Sequence, residues 1–126
     1  MWELTKSFGF EAAHTLHRDI EREASQRIHG HSYKAEVTVA GTPDPTTGMV
    51  MDIGVLEQQL GKVRARLDHQ FLDDIKDMGP ATMENIARWI WDQLVIPGPN
   101  TRLVRVTVLR ESCGERCAYQ GRATGA

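Results

Sequence analysis

The strongest constraint on how this chain folds is a pair of long segments with apolar side chains at every second residue. In residues 2–14, Trp2, Leu4, Phe8, Phe10 and Ala12 share one parity; Glu3, Thr5, Ser7 and Glu11 take the other, with Lys6 the only break. In residues 29–41, His29, His31, Tyr33, Ala35, Val37 and Val39 alternate with Gly30, Ser32, Lys34, Glu36 and Thr38. Successive strand side chains point to opposite faces, so this period of two predicts two half-buried strands. Each strand needs another layer to cover its apolar face. His14 ends the first segment on its apolar parity, and His29 and His31 open the second on its own. All three imidazoles therefore point towards the core face.

The rest of the chain supplies the covering layer. Residues 15–27 are too charged and aperiodic for a strand and read as a loop. Gly41 to Gly48 carries two prolines and turn-forming residues throughout. Asp52 is placed to cap a helix bearing Ile53, Leu56, Leu60, Val63 and Leu67 at spacings of three and four, which stops near Asp68-His69. After Gly79-Pro80, Thr82 can cap a second helix with Met83, Ile86, Ile90 and Leu94 on one stripe, ended by Pro97-Gly98. Trp89 and Trp91 on this helix read as packing residues. The β-branched run in residues 102–111 predicts a buried strand, and Ala118-Tyr119 a last short one. The order β-β-α-α-β-β predicts an α+β fold, a four-stranded antiparallel sheet with two helices on one face.

At 126 residues the chain is expected to form a single domain spanning 1–126. Fifteen Lys and Arg against seventeen Asp and Glu give a net charge of -2, with no basic excess to hold a polyanion, so nucleic acid is not the expected partner. No N-terminal apolar leader or membrane-length apolar run is visible, so no membrane partner is expected. Cys113 and Cys117 do not form a C-x-x-C motif or a disulfide framework, which suits a reducing, cytoplasmic setting.

His29-Gly30-His31 places two imidazoles on one strand face roughly 6.6 Å apart along the chain, a span that two ligands can bring to one metal ion. If the two strands are neighbours, His14 supplies a third nitrogen. Three histidines without a fourth protein ligand describe a catalytic Zn2+ with an open position; the plainer alternative is a set of satisfied, partly buried histidines. Asp68-His69 is either a general acid/base pair or a helix-end aspartate beside a surface histidine. Glu111, at the end of the late strand, is either an exposed charge or an acceptor for a paired N–H/NH2 edge such as that of a guanine or pterin.

Six segments occur in the order typical of one family. They are Phe10-Glu11-Ala12-Ala13-His14, His29-Gly30-His31-Ser32-Tyr33, Gly48-Met49-Val50-Met51-Asp52, Leu67-Asp68-His69-Gln70-Phe71-Leu72, Thr82-Met83-Glu84-Asn85, and Glu111-Ser112 through Tyr119. With them the chain resembles the 6-pyruvoyltetrahydropterin synthase family, most of all its bacterial 6-carboxytetrahydropterin synthase branch of queuosine biosynthesis. The resemblance implies His14, His29 and His31 as zinc ligands and Asp68 and His69 as the acid/base pair. It also implies Glu111 as the anchor of a pterin ring, with Thr82 beside it. The implied activity is conversion of 7,8-dihydroneopterin triphosphate to 6-carboxy-5,6,7,8-tetrahydropterin, with release of acetaldehyde and triphosphate. The implied architecture is the tunnelling fold, whose trimers join sheets into a barrel and stack into a homohexamer with active sites at subunit interfaces.

The family pattern is broken at two places, a smaller one at Pro80-Ala81-Thr82, where the family usually reads Asn-Pro-Thr and Thr82 is kept, and a larger one ahead of His29. The cysteine that stands four residues before His-Gly-His in the family is Ser25 here. A serine hydroxyl titrates far above a thiol and needs a strong neighbouring base to ionise. The same loop holds Glu21 and Glu23, and Glu23 is the alternative base. That leaves two rival readings, side-chain cleavage to 6-hydroxymethyldihydropterin by a glutamate base, or a pterin-binding homologue whose catalysis has lapsed.

Overall fold

The computed structural model describes residues 1–122. Its elements, in chain order, are strand β1 (Trp2–His14), a short helix α1 (Arg22–Gln26), strand β2 (His29–Gly41), helix α2 (Ile53–Leu67), strand β3 (Gln70–Phe71), helix α3 (Met83–Gln93), strand β4 (Thr101–Arg110) and strand β5 (Glu115–Tyr119). The sheet order is β3-β1-β2-β4-β5. The α+β class and the long β1–β2 pair match the alternation, but the sheet has five strands where four were expected. The extra one, β3, is two residues long and pairs parallel to β1 at Ala12 and Ala13. No two-residue strand has a periodicity to read. It exists because the chain leaving α2 is drawn against the free edge of β1. The segment 15–27, read as loop, contains α1, and β5 begins at Glu115, earlier than Ala118.

β1 and β2 pair antiparallel along their whole lengths, Trp2 opposite Gly41 and His14 opposite His29. β2 pairs antiparallel with β4, with a register irregularity at Thr38/Val39, and β4 pairs with β5. Gly114 makes the β4–β5 connection at φ +70, a left-handed conformation that glycine adopts without a Cβ clash.

α2 and α3 cover one face of the sheet. Asp52 caps α2 by accepting the Gly54 N–H at 2.8 Å, and Arg64 and Arg66 lie in its last turn, where the helix dipole favours positive charge. Thr82 caps α3 through its hydroxyl, which accepts the Asn85 N–H at 3.1 Å. The core gathers Phe10, Tyr33, Ala35, Val37, Val106 and Val108 from the sheet, Leu56, Leu60, Val63 and Leu67 from α2, and Ile86, Trp89 and Ile90 from α3. Trp89 is fully buried under the Arg66 guanidinium, which lies 4.8 Å from its ring centroid, and Trp91 meets Tyr119 edge-on. Both tryptophans are packing residues. Trp2 and Ile53, on the expected apolar stripes, are instead exposed. The opposite face is polar, with Thr5 bonded to Thr38 and ion pairs from Arg105 to Glu3 and from Arg116 to Glu36. Among the described residues no helix is long and apolar enough to cross a membrane.

Candidate metal centre and its cavity

Strand register brings the three histidines together. His14 lies opposite His29, and Ala12 lies opposite His31, where the small side chain leaves room for the imidazole. The ring centroids are 4.5 Å (His14–His29), 4.9 Å (His14–His31) and 5.0 Å (His29–His31) apart. One nitrogen from each ring falls within 4.8 Å of the others, so these three side chains could hold a metal ion.

Two of the rings are oriented from behind. His14 Nδ1 lies 2.8 Å from the Ala81 carbonyl oxygen and His29 Nδ1 lies 2.7 Å from that of Arg27. A carbonyl can only accept, so each Nδ1 carries a proton, which leaves Nε2 as the nitrogen that can ligate, the arrangement typical of metal-bound histidines. The His14 Nε2 is buried and has no hydrogen-bond partner among the described residues. Such an atom is costly unless a ligand takes its lone pair. Burial, opposed by the Ala81 carbonyl, holds the His14 pKa below the ordinary histidine value. Burial, reinforced by the nearby Arg110 charge, brings His31 down to about 4. Both rings are therefore neutral at pH 7, as metal ligation requires.

The triad opens into a cavity of about 720 Å3, within the usual range for small-molecule sites. Thr82 and Ser25 also line it, as do Glu21, Glu84, Arg110 and Cys113. Thr82 reaches the wall as the cap of α3. Ser25 is buried, and its hydroxyl is already committed. It donates to the Arg22 carbonyl at 2.8 Å and accepts the Arg18 N–H at 3.2 Å, tying the 15–27 segment together. Glu23 is exposed on α1 and does not line the cavity, whereas Glu21, in a left-handed conformation just before α1, does. Of the two cysteines, Cys113 lines the cavity; Cys117 is half-buried on β5, where burial raises its thiol pKa.

Besides Glu23, three expected residues lie elsewhere. Asp68 is the C-cap of α2; its carboxylate accepts the Glu11 backbone N–H at 2.8 Å and lies 3.2 Å from Arg64 and 2.9 Å from His69 Nδ1. The Glu11 N–H is the largest cause holding its pKa below the ordinary carboxylate value. His69 sits at φ +60, and its N–H donates to the Glu11 carbonyl at 2.6 Å. Its ring is 79% exposed and borders a second depression, of about 480 Å3, which shares His31 with the first. Glu111 is exposed in a 3-10 turn after β4, 3.7 Å from Lys34, and outside the triad's cavity.

Arg110 was not anticipated. It lies 3.1 Å from His31 Nε2 through Nη1 and donates from Nη2 to Glu115 at 2.7 Å. Tyr33, on the same face as His31, has a buried hydroxyl with no partner among the described residues, and burial pushes its pKa up to about 12. A signal for Arg110 was present in the sequence. It continues the buried parity of Val106 and Val108, as His14 continues that of Phe10 and Ala12.

Similarity to known proteins agrees with this geometry. The chain is 38% identical over 125 residues to the 6-carboxy-5,6,7,8-tetrahydropterin synthase of Synechocystis, covering 94% of this chain and 93% of that protein. It is 34% identical to the human 6-pyruvoyl tetrahydrobiopterin synthase, covering 94% and 91%. The solved structure of 6-pyruvoyl tetrahydropterin synthase from Caenorhabditis elegans superposes with a TM-score of 0.82 at 29% identity, covering 96% of each chain. The family model for 6-pyruvoyl tetrahydropterin synthase matches residues 3–122, nearly the whole chain, and this chain belongs to that family.

Proposed function

We propose that this chain is a single-domain, cytoplasmic, zinc-dependent pterin lyase. It converts 7,8-dihydroneopterin triphosphate to 6-carboxy-5,6,7,8-tetrahydropterin, releasing acetaldehyde and triphosphate on the route to queuosine and other deazapurines. The observation that carries this reading is the convergence of His14, His29 and His31 at the cavity wall, with the buried Nε2 of His14 without a partner among the described residues. These three residues hold the zinc. When bound, it supplies a Lewis acid that polarises a side-chain hydroxyl or carbonyl oxygen. The Asp68 carboxylate accepts the Nδ1–H of His69 and leaves Nε2 free to take up and return the transferred proton. Thr82 and Glu111 position the pterin ring.

His69 and Glu111 are exposed and outside the triad's cavity, which supports a site completed by a neighbouring subunit in a homohexamer of two barrel-forming trimers. β3 covers only Ala12 and Ala13 on the outer edge of β1, leaving a long edge for a partner strand. A glutamate-base reading, with 6-hydroxymethyldihydropterin as product, moves from the exposed Glu23 to Glu21 and is favoured by one contrast: Glu21 lines the cavity while the Ser25 hydroxyl is committed to backbone.

The test is to incubate zinc-loaded protein with dihydroneopterin triphosphate and identify the pterins by mass. A 6-carboxytetrahydropterin product supports the main reading, 6-hydroxymethyldihydropterin the second, and binding without product a lapsed enzyme. Light scattering is expected to show about six subunits. A stable monomer with full turnover refutes the shared site.

A further inference from the structure

We infer that Arg110 selects for an anionic substituent, a carboxylate, on the ligand held beside the three imidazoles. This deepens the pterin reading and rests on it. Arg110 closes β4 on the buried parity, so its side chain leaves the sheet on the same face as His31 and Tyr33. The guanidinium is anchored by Glu115, whose Oε1 lies 2.7 Å from Nη2, and its Nη1 lies 3.1 Å from His31 Nε2, a nitrogen whose lone pair a bound metal would take; only 16% of the side chain is exposed. Its Nε is buried and has no partner among the described residues. A guanidinium carries five N–H donors, and these contacts use at most two of them.

The remaining donors belong to a rigid, planar fork at the cavity wall, beside the imidazoles. A carboxylate offers such a fork two coplanar charged oxygens, whereas a hydroxymethyl group offers one neutral oxygen. The charge of the lining as a whole does not draw an anion, because Glu21, Glu84 and Glu115 stand against Arg18 and Arg110. Discrimination therefore depends on where Arg110 places its donors, and removing Arg110 should remove it.

The test titrates two fluorescent ligands, 6-carboxypterin and 6-hydroxymethylpterin, into the zinc-loaded chain and follows quenching. The proteins are wild type, Arg110→Met and Arg110→Lys, with zinc content measured for each. Wild type is expected to prefer 6-carboxypterin by about tenfold or more, the scale of a charge-assisted hydrogen bond. Arg110→Met is expected to abolish the preference and leave 6-hydroxymethylpterin binding within about threefold, with Arg110→Lys in between. Equal binding of the two pterins by wild type overturns the inference. So does an Arg110→Met variant that loses both pterins alike, or loses its zinc, since Arg110 would then only brace the β4–β5 hairpin or His31. Should Arg110→Met fail to fold, Arg110→Lys decides, because an unchanged preference without the fork refutes the proposal. If neither pterin binds wild type, the pterin reading itself fails.

Discussion

Replacing His14 or His29 by alanine separates metal binding from structural support. Both are expected to lose zinc, but their metal-free stabilities should differ. His14 is 1% exposed, and its Nδ1–H satisfies the Ala81 carbonyl in the turn leading into α3. Truncation leaves that carbonyl without its partner and opens a void where the ring packed, a combined cost of about 2–4 kcal/mol. His29 is half-buried and bonds an exposed residue's carbonyl, so its truncation should cost about 1 kcal/mol or less. For a chain of this length 1 kcal/mol corresponds to roughly 3–5 °C in Tm. His14→Ala is therefore expected to melt roughly 6–20 °C below wild type without metal, and His29→Ala within about 5 °C. Zinc at a hundred times its Kd adds about 2.7 kcal/mol to wild type, and neither variant should show that rise. The assay is differential scanning fluorimetry at one protein concentration, after chelation and again with zinc, alongside elemental analysis. A His29→Ala protein that keeps the zinc-induced rise refutes the ligand set. A metal-free His14→Ala that melts with wild type refutes the structural role of the Ala81 contact.

Three further outcomes follow from the same geometry. Ser25→Cys is expected to raise turnover of dihydroneopterin triphosphate at least tenfold, about 1.4 kcal/mol of barrier, in a steady-state assay; no increase rejects position 25 as the place of the base. Trp89→Ala, in the centre of the core and under Arg66, is expected to cost about 3–5 kcal/mol in urea denaturation, and a loss under 1 kcal/mol rejects that packing. The fold depresses the Asp68 pKa, so its ionised form stabilises the native state above the ordinary aspartate pKa, and that stability is lost as pH falls through the lowered value. Asp68→Asn should be less stable than wild type at pH 7 and show a shallower loss in acid; identical acid limbs refute the Glu11 contact.

Much of this arrangement follows from local rules that a sequence displays. A period of two puts His14, His29 and His31 on the faces that carry Phe10, Tyr33 and Val37, whatever the rest of the chain does. Asp52 and Thr82 mark their helix starts because a short polar side chain satisfies otherwise unpaired N–H groups nearby. Tertiary structure decided what depends on residues far apart in the chain. Pairing His14 with His29 turned three correctly facing histidines into one cluster, and that register belongs to the β1–β2 pair, not to either strand. β3 exists only because Gln70 and Phe71 meet the edge of β1, and the exposure of Trp2 and Ile53 reflects where the layers stop. Ser25 binds backbone through a fold of the 15–27 segment that has no periodic pattern. Arg110 shows the same division within a single residue. Its parity is visible in the sequence, but its place against His31 comes from a contact 79 residues away along the chain, and no local rule reaches across that separation.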